Sequence, residues 1–130
     1  MKYLFDTNIF IYATAKEPEV LPFFALAFLN NNECFYSRVT RIEILSFPLA
    51  TKHDEILLNN LLNQFFAIPI NKQIEDLTIQ LRRKKKMKLG DSIIAASALF
   101  TESTLITRNE RDFEAIPKLK LLNPFASQIK

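Results

Sequence analysis

Short apolar runs bounded by polar clusters alternate along this chain with longer stretches in which apolar residues recur every three or four positions. Runs of the first kind predict strands and stretches of the second predict helices. Lys2 to Phe5 reads as a strand, and Ile9 to Ala15 as a helix. Leu21 to Leu29 reads as a second helix, stopped by Asn30-Asn31-Asn32, and Glu33 to Tyr36 as a strand. Val39 to Leu49 predicts a helix with Ile42, Leu45 and Leu49 on one face. Asp54 to Asn63 predicts another, carrying Leu57, Leu58, Leu61 and Leu62.

Phe65 to Pro69 reads as a strand, and Lys72 to Met87 as a helix with Ile74, Leu77 and Leu81 inward. Asp91 to Phe100 is a very apolar helix whose small residues suit close packing on more than one side. Thr104 to Thr107 is a strand, Glu110 to Ala115 a short helix and Leu119 to Leu122 a last strand. Such alternation predicts an α/β layer fold around a mostly parallel sheet of about five strands, joined by right-handed crossovers. In sheets of that kind a ligand site lies beyond the carboxyl ends of the strands, where the chain turns into helices.

Composition narrows the class. The 130 residues fit one domain spanning 1–130, large enough for a core without staples. With 48% hydrophobic and 24% charged residues, the chain has a globular profile. A single Gly argues against a many-stranded β protein, which needs turns with positive φ. The net charge of +3 is compatible with a polyanionic partner without requiring one. Cys34 stands alone in an apolar run and reads as a buried, inert thiol. Asp6 comes too early for a signal peptide, and no apolar run approaches the ~20 residues of a spanning helix. A cytoplasmic location is expected.

The candidate chemistry is acidic. Asp6 follows the first strand, Glu43 lies in the helix after the second, and Asn109, with Asp112 behind it, follows Leu105-Ile106-Thr107. Asp91 heads the most apolar helix. Gathered in one cleft, these carboxylates would repel one another, and an oxygen-rich site of that sort suits Mg²⁺ or Mn²⁺. Each also has a plain structural reading. Asp6, Asp91 and Asn109 are good helix N-caps, and Thr40-Arg41-Ile42-Glu43 has the form of a capping box. Asp112 also reads as a third-position acid favoured by the helix dipole.

The combination resembles the PIN-domain family, and most closely the toxin nucleases of toxin–antitoxin systems of the VapBC type. Tyr3-Leu4-Phe5-Asp6-Thr7-Asn8 is similar to the family's opening strand and Asp-Thr/Ser-Asn motif. Ser37 to Leu45 is similar to the segment with its second acid, Lys88 to Ala96 to its third and Leu105 to Phe113 to its fourth. Asn123-Pro124 is similar to its usual ending. Four motifs in order cover nearly the whole chain.

The resemblance implies a three-layer α/β/α PIN-like fold and metal-dependent endonucleolytic hydrolysis of RNA. Asp6, Glu43 and Asp91 would be metal ligands holding an activated water. Asn109 and Asp112 would complete the catalytic group, and Asn8 and Thr107 would support it. Many relatives have Asp where Asn109 stands, and an amide there lacks the charge that tightens a second cation. A cognate antitoxin and a homodimer are also implied.

His53, the one histidine, lies far from every motif, so no Ser/His/Asp or Cys/His arrangement competes with a metal-activated water. The basic run Arg82 to Lys88 reads as a solvated helix end or as an RNA contact. Lys86, Lys88, Arg38, Arg41 and Arg108 are the cations placed to touch phosphates. Leu21 to Phe24 and Phe47-Pro48-Leu49 read as partner surfaces or as core. Two other readings stand beside this one. A haloacid-dehalogenase-like phosphatase needs a second Asp where Asn8 stands. A non-catalytic PIN-like module would bind RNA or protein without cleavage.

Overall fold

A computed structural model of the protein describes residues 1–48 and 51–126. Its centre is a sheet of β1 (Lys2–Phe5), β2 (Glu33–Ser37), β3 (Phe66–Ile68), β4 (Thr104–Ile106) and β5 (Lys120–Leu122). The order is β3-β2-β1-β4-β5 and every adjacent pair is parallel. The chain first builds outward from β1 through β2 to β3, then crosses to the other side of β1 for β4 and β5. The strand order therefore reverses between β1 and β4, which opens a crevice at their carboxyl ends.

Side chains that alternate across the strands supply two cores, one on each face of the sheet. On one face Phe5, Cys34, Tyr36 and Ile106 pack with residues of α1 (Thr7–Thr14), α3 (Arg38–Ser46) and α4 (Lys52–Leu62). On the other, Leu4, Ile68 and Leu105 pack with α5 (Lys72–Lys84) and α6 (Leu89–Thr101). The result is the expected three-layer α/β/α arrangement. In α6, Ser92 and Ile94 to Ala98 are all buried, and the small side chains let it lie close to α5, α3 and the sheet at once.

Aromatic rings stiffen the first core. Phe65 meets Phe5 and Phe10 edge-on with centroids 4.8 and 5.0 Å apart. Such pairs add about 1 kcal/mol each beyond the area they bury. Phe5 immediately precedes Asp6, so this cluster anchors the backbone at the crevice.

The helix expected over Leu21 to Leu29 is divided. A 3₁₀ turn (Leu21–Phe24) ends at Ala25, whose backbone is extended, and α2 (Leu26–Asn31) restarts the helix. This stretch has no polar face, so periodicity could not locate the break. Phe24 packs on Phe5 and Phe10 from one side of it, and Phe28 on Tyr3 from the other.

In α3 the buried apolar residue is Ile44, whereas Ile42 is 61% exposed, and Leu49 lies outside the described residues. Phe47 and Pro48 border an apolar cleft of about 560 Å³ together with Ile11, Ile44 and Leu57. Cys34 is buried, and burial pushes its thiol up to about 11. His53 is exposed on α4. Among the described residues, no helix is long and apolar enough to cross a membrane.

Candidate active site

Asp6 sits where β1 ends, at the point of strand-order reversal. Its N–H donates to the Ile106 carbonyl of β4 at 2.9 Å, a contact that closes the floor of the crevice. Its side chain does cap α1, with Oδ1 accepting the Thr7 N–H at 2.8 Å. The second oxygen, Oδ2, accepts the Thr107 hydroxyl at 2.8 Å from just past β4. That hydroxyl also accepts the Asn109 N–H at 3.0 Å. One buried threonine thus links the first acid to the loop that carries the last.

Glu43 has a different role from the one its local sequence suggests. The cap of α3 is Ser37, whose hydroxyl accepts the Val39 N–H, and Thr40 is buried inside the helix. No capping box forms at Thr40. Instead Glu43 Oε1 accepts the Thr7 hydroxyl at 2.7 Å. Thr7 has one hydroxyl proton, so Thr40, 2.9 Å away, is the donor to Thr7. Thr40 and Thr7 form a relay that points Glu43 toward the crevice.

Asp91 is not the cap of α6. Lys88 occupies that position without a side-chain bond, and Asp91 lies in the first turn. Gly90 beside it is the only glycine of the chain. A Cβ at position 90 would lie 2.5 Å from Glu43 Oε2. With any side chain at this position the Glu43 carboxylate would have to move aside.

Asn109 stands at the N-cap of the short helix α7 (Glu110–Phe113) but makes no side-chain cap bond. Its amide donates to Asp112 Oδ2. Lys85, at the end of α5, donates to the Asp112 and Arg111 carbonyls at 2.9 and 3.4 Å and ties α7 to the α5–α6 loop.

The electrostatics show that these acids share one field. Asp6, only 6% exposed, is raised from 3.8 to about 6 by its burial first, and then by the charges of Asp91 and Glu43. The bonds from Thr107 and Thr7 partly offset this. Asp91 is also raised, by burial first and then by Asp112 and Glu43, with Lys88 opposing. Among the described residues the only ion pairs are Lys52–Glu55 and Lys72–Asp76, both on the surface away from this group. The four acids are therefore close enough to repel and have no cation paired with them.

Two openings lead to the group. One, of about 310 Å³, is bordered by Lys85, Lys86, Lys88, Asp91 and Asp112. The other, also about 310 Å³, is bordered by Asp6, Asn8, Tyr12, Arg108 and Asn109. Asn8 is exposed on that wall, while the hydrogen bonds to Asp6 and Glu43 come from Thr7 and Thr107. Arg38 and Arg41 are exposed on α3 and line neither opening.

Among the described residues, no group of three or more His, Cys, Asp or Glu side chains is placed to hold a metal ion. The donor set is nonetheless all oxygen and carries unneutralised charge. Mg²⁺ commonly keeps several waters and binds through one or two carboxylates, so the set fits it without a closed cage. Thr7, Thr40, Gly90 and Lys85 are the site residues that sequence reasoning passed over. Gly90 alone left a signal, as the sole glycine placed directly before an acid.

A doubly wound parallel sheet with carboxylates crowded at its switch point defines an α/β fold class whose ligand site lies beyond the strand ends. Within it, the PIN-domain family model matches residues 3–119, and the chain belongs to that family. It is 28% identical to Ribonuclease VapC2 of Rickettsia felis over 131 aligned residues, covering 95% of this chain and 98% of that one. A toxin–antitoxin complex from Klebsiella pneumoniae contains a chain of 31% identity that superposes with a TM-score of 0.77, again over 95% and 98%. VapBC2 of Rickettsia felis, solved bound to a DNA fragment from its promoter, gives a TM-score of 0.82 at 23% identity over the same shares, a likeness of fold.

Proposed function

We propose that this protein is a divalent-metal-dependent endoribonuclease and the toxin of a toxin–antitoxin pair. The observation that carries the reading is the cluster of Asp6, Glu43, Asp91 and Asp112 at the β1/β4 crevice, with Asp6 raised by burial and by Asp91 and Glu43, and Asp91 by burial and by Asp112 and Glu43. The similar ribonuclease and the similar toxin–antitoxin complex support the substrate class and the partner.

Asp6, Glu43 and Asp91 would hold Mg²⁺ or Mn²⁺. When bound, such an ion supplies an acidified water at neutral pH and charge neutralisation on the phosphate. The chain's own residues prepare the place. Thr107 and the Thr7 N–H hold Asp6 with both oxygens hydrogen-bonded on the protein side. Thr7 and Thr40 aim Glu43, and Gly90 leaves room for its carboxylate. The Asn109 amide restrains Asp112. Lys86, Lys88 and Arg108 border the openings and attract the RNA backbone, with Arg38 and Arg41 contributing at longer range. A cognate antitoxin, a homodimer and a cytoplasmic setting belong to the same reading.

The test incubates purified protein with structured RNAs in Mg²⁺, Mn²⁺ or EDTA, beside Asp6→Asn and Asp91→Asn. Cleavage that needs metal and disappears in both variants is the expected result. Cleavage that persists in EDTA would contradict the metal mechanism. The amide of Asn109 in the fourth acidic position gives a second reading its footing, and RNA binding without cleavage in either metal would favour that non-catalytic module.

A further inference from the structure

Past β5 the chain turns at Asn123-Pro124 and lays Phe125 over the loop that follows β4. The Arg108 guanidinium carbon is 4.0 Å from the Phe125 ring centroid and 5.3 Å from that of Tyr12 on α1. The two rings themselves meet edge-on at 5.0 Å. Asn123 holds this group together. Its Oδ1 accepts the Phe125 N–H at 2.9 Å, and its Nδ2 donates to Glu110 Oε2 at 2.8 Å and to the Arg108 carbonyl at 3.4 Å. Among the described residues Arg108 has no carboxylate partner. Its side chain borders the same opening as Asp6 and Asn109.

We propose that Arg108, held by Tyr12 and Phe125, is a built subsite for a backbone phosphate of the RNA next to the one cleaved. The assignment rests on the ribonuclease reading given above. Stacking on a ring uses the face of the guanidinium and leaves its edge N–H groups available for the two oxygens of a phosphate. An exposed arginine normally samples many rotamers, and ordering it on binding opposes affinity. Two rings that hold the guanidinium carbon at 4.0 and 5.3 Å remove much of that cost. Glu110, the one acid in this group, accepts from Asn123 and, among the described residues, forms no ion pair with the guanidinium. Arg108 is the phosphate-binding residue, and Tyr12, Phe125 and Asn123 position it.

The experiment measures binding of a short fluorescein-labelled single-stranded RNA by anisotropy, with Ca²⁺ replacing Mg²⁺ to suppress turnover, between about 50 and 200 mM salt. Steady-state cleavage in Mg²⁺ runs in parallel. Arg108→Ala, at an exposed side chain, is expected to weaken binding about tenfold, the equivalent of one hydrogen bond to a charged group. It should also lower the slope of log K against log[salt] by about 0.7, the value for one single-strand phosphate. Arg108→Lys should keep the slope and lose affinity. Phe125→Leu, which keeps apolar bulk, should raise KM about threefold with little change in kcat, and Phe125→Tyr should restore it.

An Arg108→Ala protein with unchanged salt slope overturns the subsite, even if the enzyme still cleaves RNA. Equal KM for Phe125→Leu and wild type overturns the role of the rings. A wild-type protein that cleaves nothing but binds with the Arg108-dependent slope contradicts the nuclease reading and supports the subsite.

Discussion

Asp6 holds a charge that the folded chain resists, and this gives a stability prediction opposite to the usual one for a buried polar residue. Its carboxyl is raised from 3.8 to about 6 by burial and by the neighbouring charges of Asp91 and Glu43. At 1.36 kcal/mol per pKa unit, that interval withholds about 3 kcal/mol from the metal-free protein at neutral pH. The direction follows from linkage. Below pH 3.8 Asp6 is neutral in both states and nothing is lost. Stability falls as pH rises through the interval, and the loss is complete above about pH 6.

Asp6→Asn removes the charge and keeps the shape. The amide oxygen still accepts the Thr7 N–H, while its NH₂ faces the Thr107 oxygen and leaves the Thr107 hydroxyl proton without an acceptor. That mismatch returns about 1–2 kcal/mol. A net gain of about 1–2 kcal/mol is therefore expected at pH 7.5, a rise of roughly 3–8 °C in Tm for a chain of this size. Urea unfolding of both proteins in EDTA at pH 7.5 and pH 5 checks it. Near pH 5 about half of the titration penalty has vanished, so the variant should lose most of its advantage. Mg²⁺ should reverse the order, since only the wild type gains from binding it. An Asp6→Asn protein less stable than wild type at pH 7.5 in EDTA, or an advantage independent of pH, would refute the reasoning.

Gly90→Ala should stabilise the α6 helix by up to about 1 kcal/mol while its new Cβ displaces Glu43 Oε2, so melting temperature and cleavage rate should move in opposite directions. Thr107→Val removes the donor to Asp6 and the acceptor of the Asn109 N–H, at a cost of about 1–3 kcal/mol. It also raises Asp6 further, so the acidic limb of the pH–rate profile should move to higher pH. Mg²⁺ at about a hundred times its Kd should stabilise the wild type by about 2.7 kcal/mol, a shift in thermal unfolding that EDTA abolishes and Asp91→Asn weakens. His53→Ala, at an exposed position on α4, should leave cleavage within about twofold.

Local pattern carried most of the architecture. Strand and helix alternate as the apolar periodicity predicts, because backbone pairing within each element depends on residues a few positions apart. The acids at strand ends were visible for the same reason, since a parallel sheet sends every such turn to one edge. Caps were less legible. Ser37 and Thr40 both suit an N-cap, and the choice fell to Ser37 because burial of Thr40 against Thr7 draws it into the helix body.

Asp6 and Glu43 stood out from sequence as acids following strands and Asp91 as the acid heading the most apolar helix, but the bonds that orient them did not. Thr107 reaches Asp6 across 101 residues and Thr7 reaches Glu43 across 36. No periodicity encodes pairs so distant, because the sheet order, with β1 between β2 and β4, is what brings them together. The same holds for the space Gly90 leaves for Glu43 and for the ring that Phe125 lays on Arg108. Sequence determined which residue types stand at the crevice. Tertiary structure alone decided which hydroxyls hold the acids and which charges they feel, because burial and mutual distance exist only once the layers have packed.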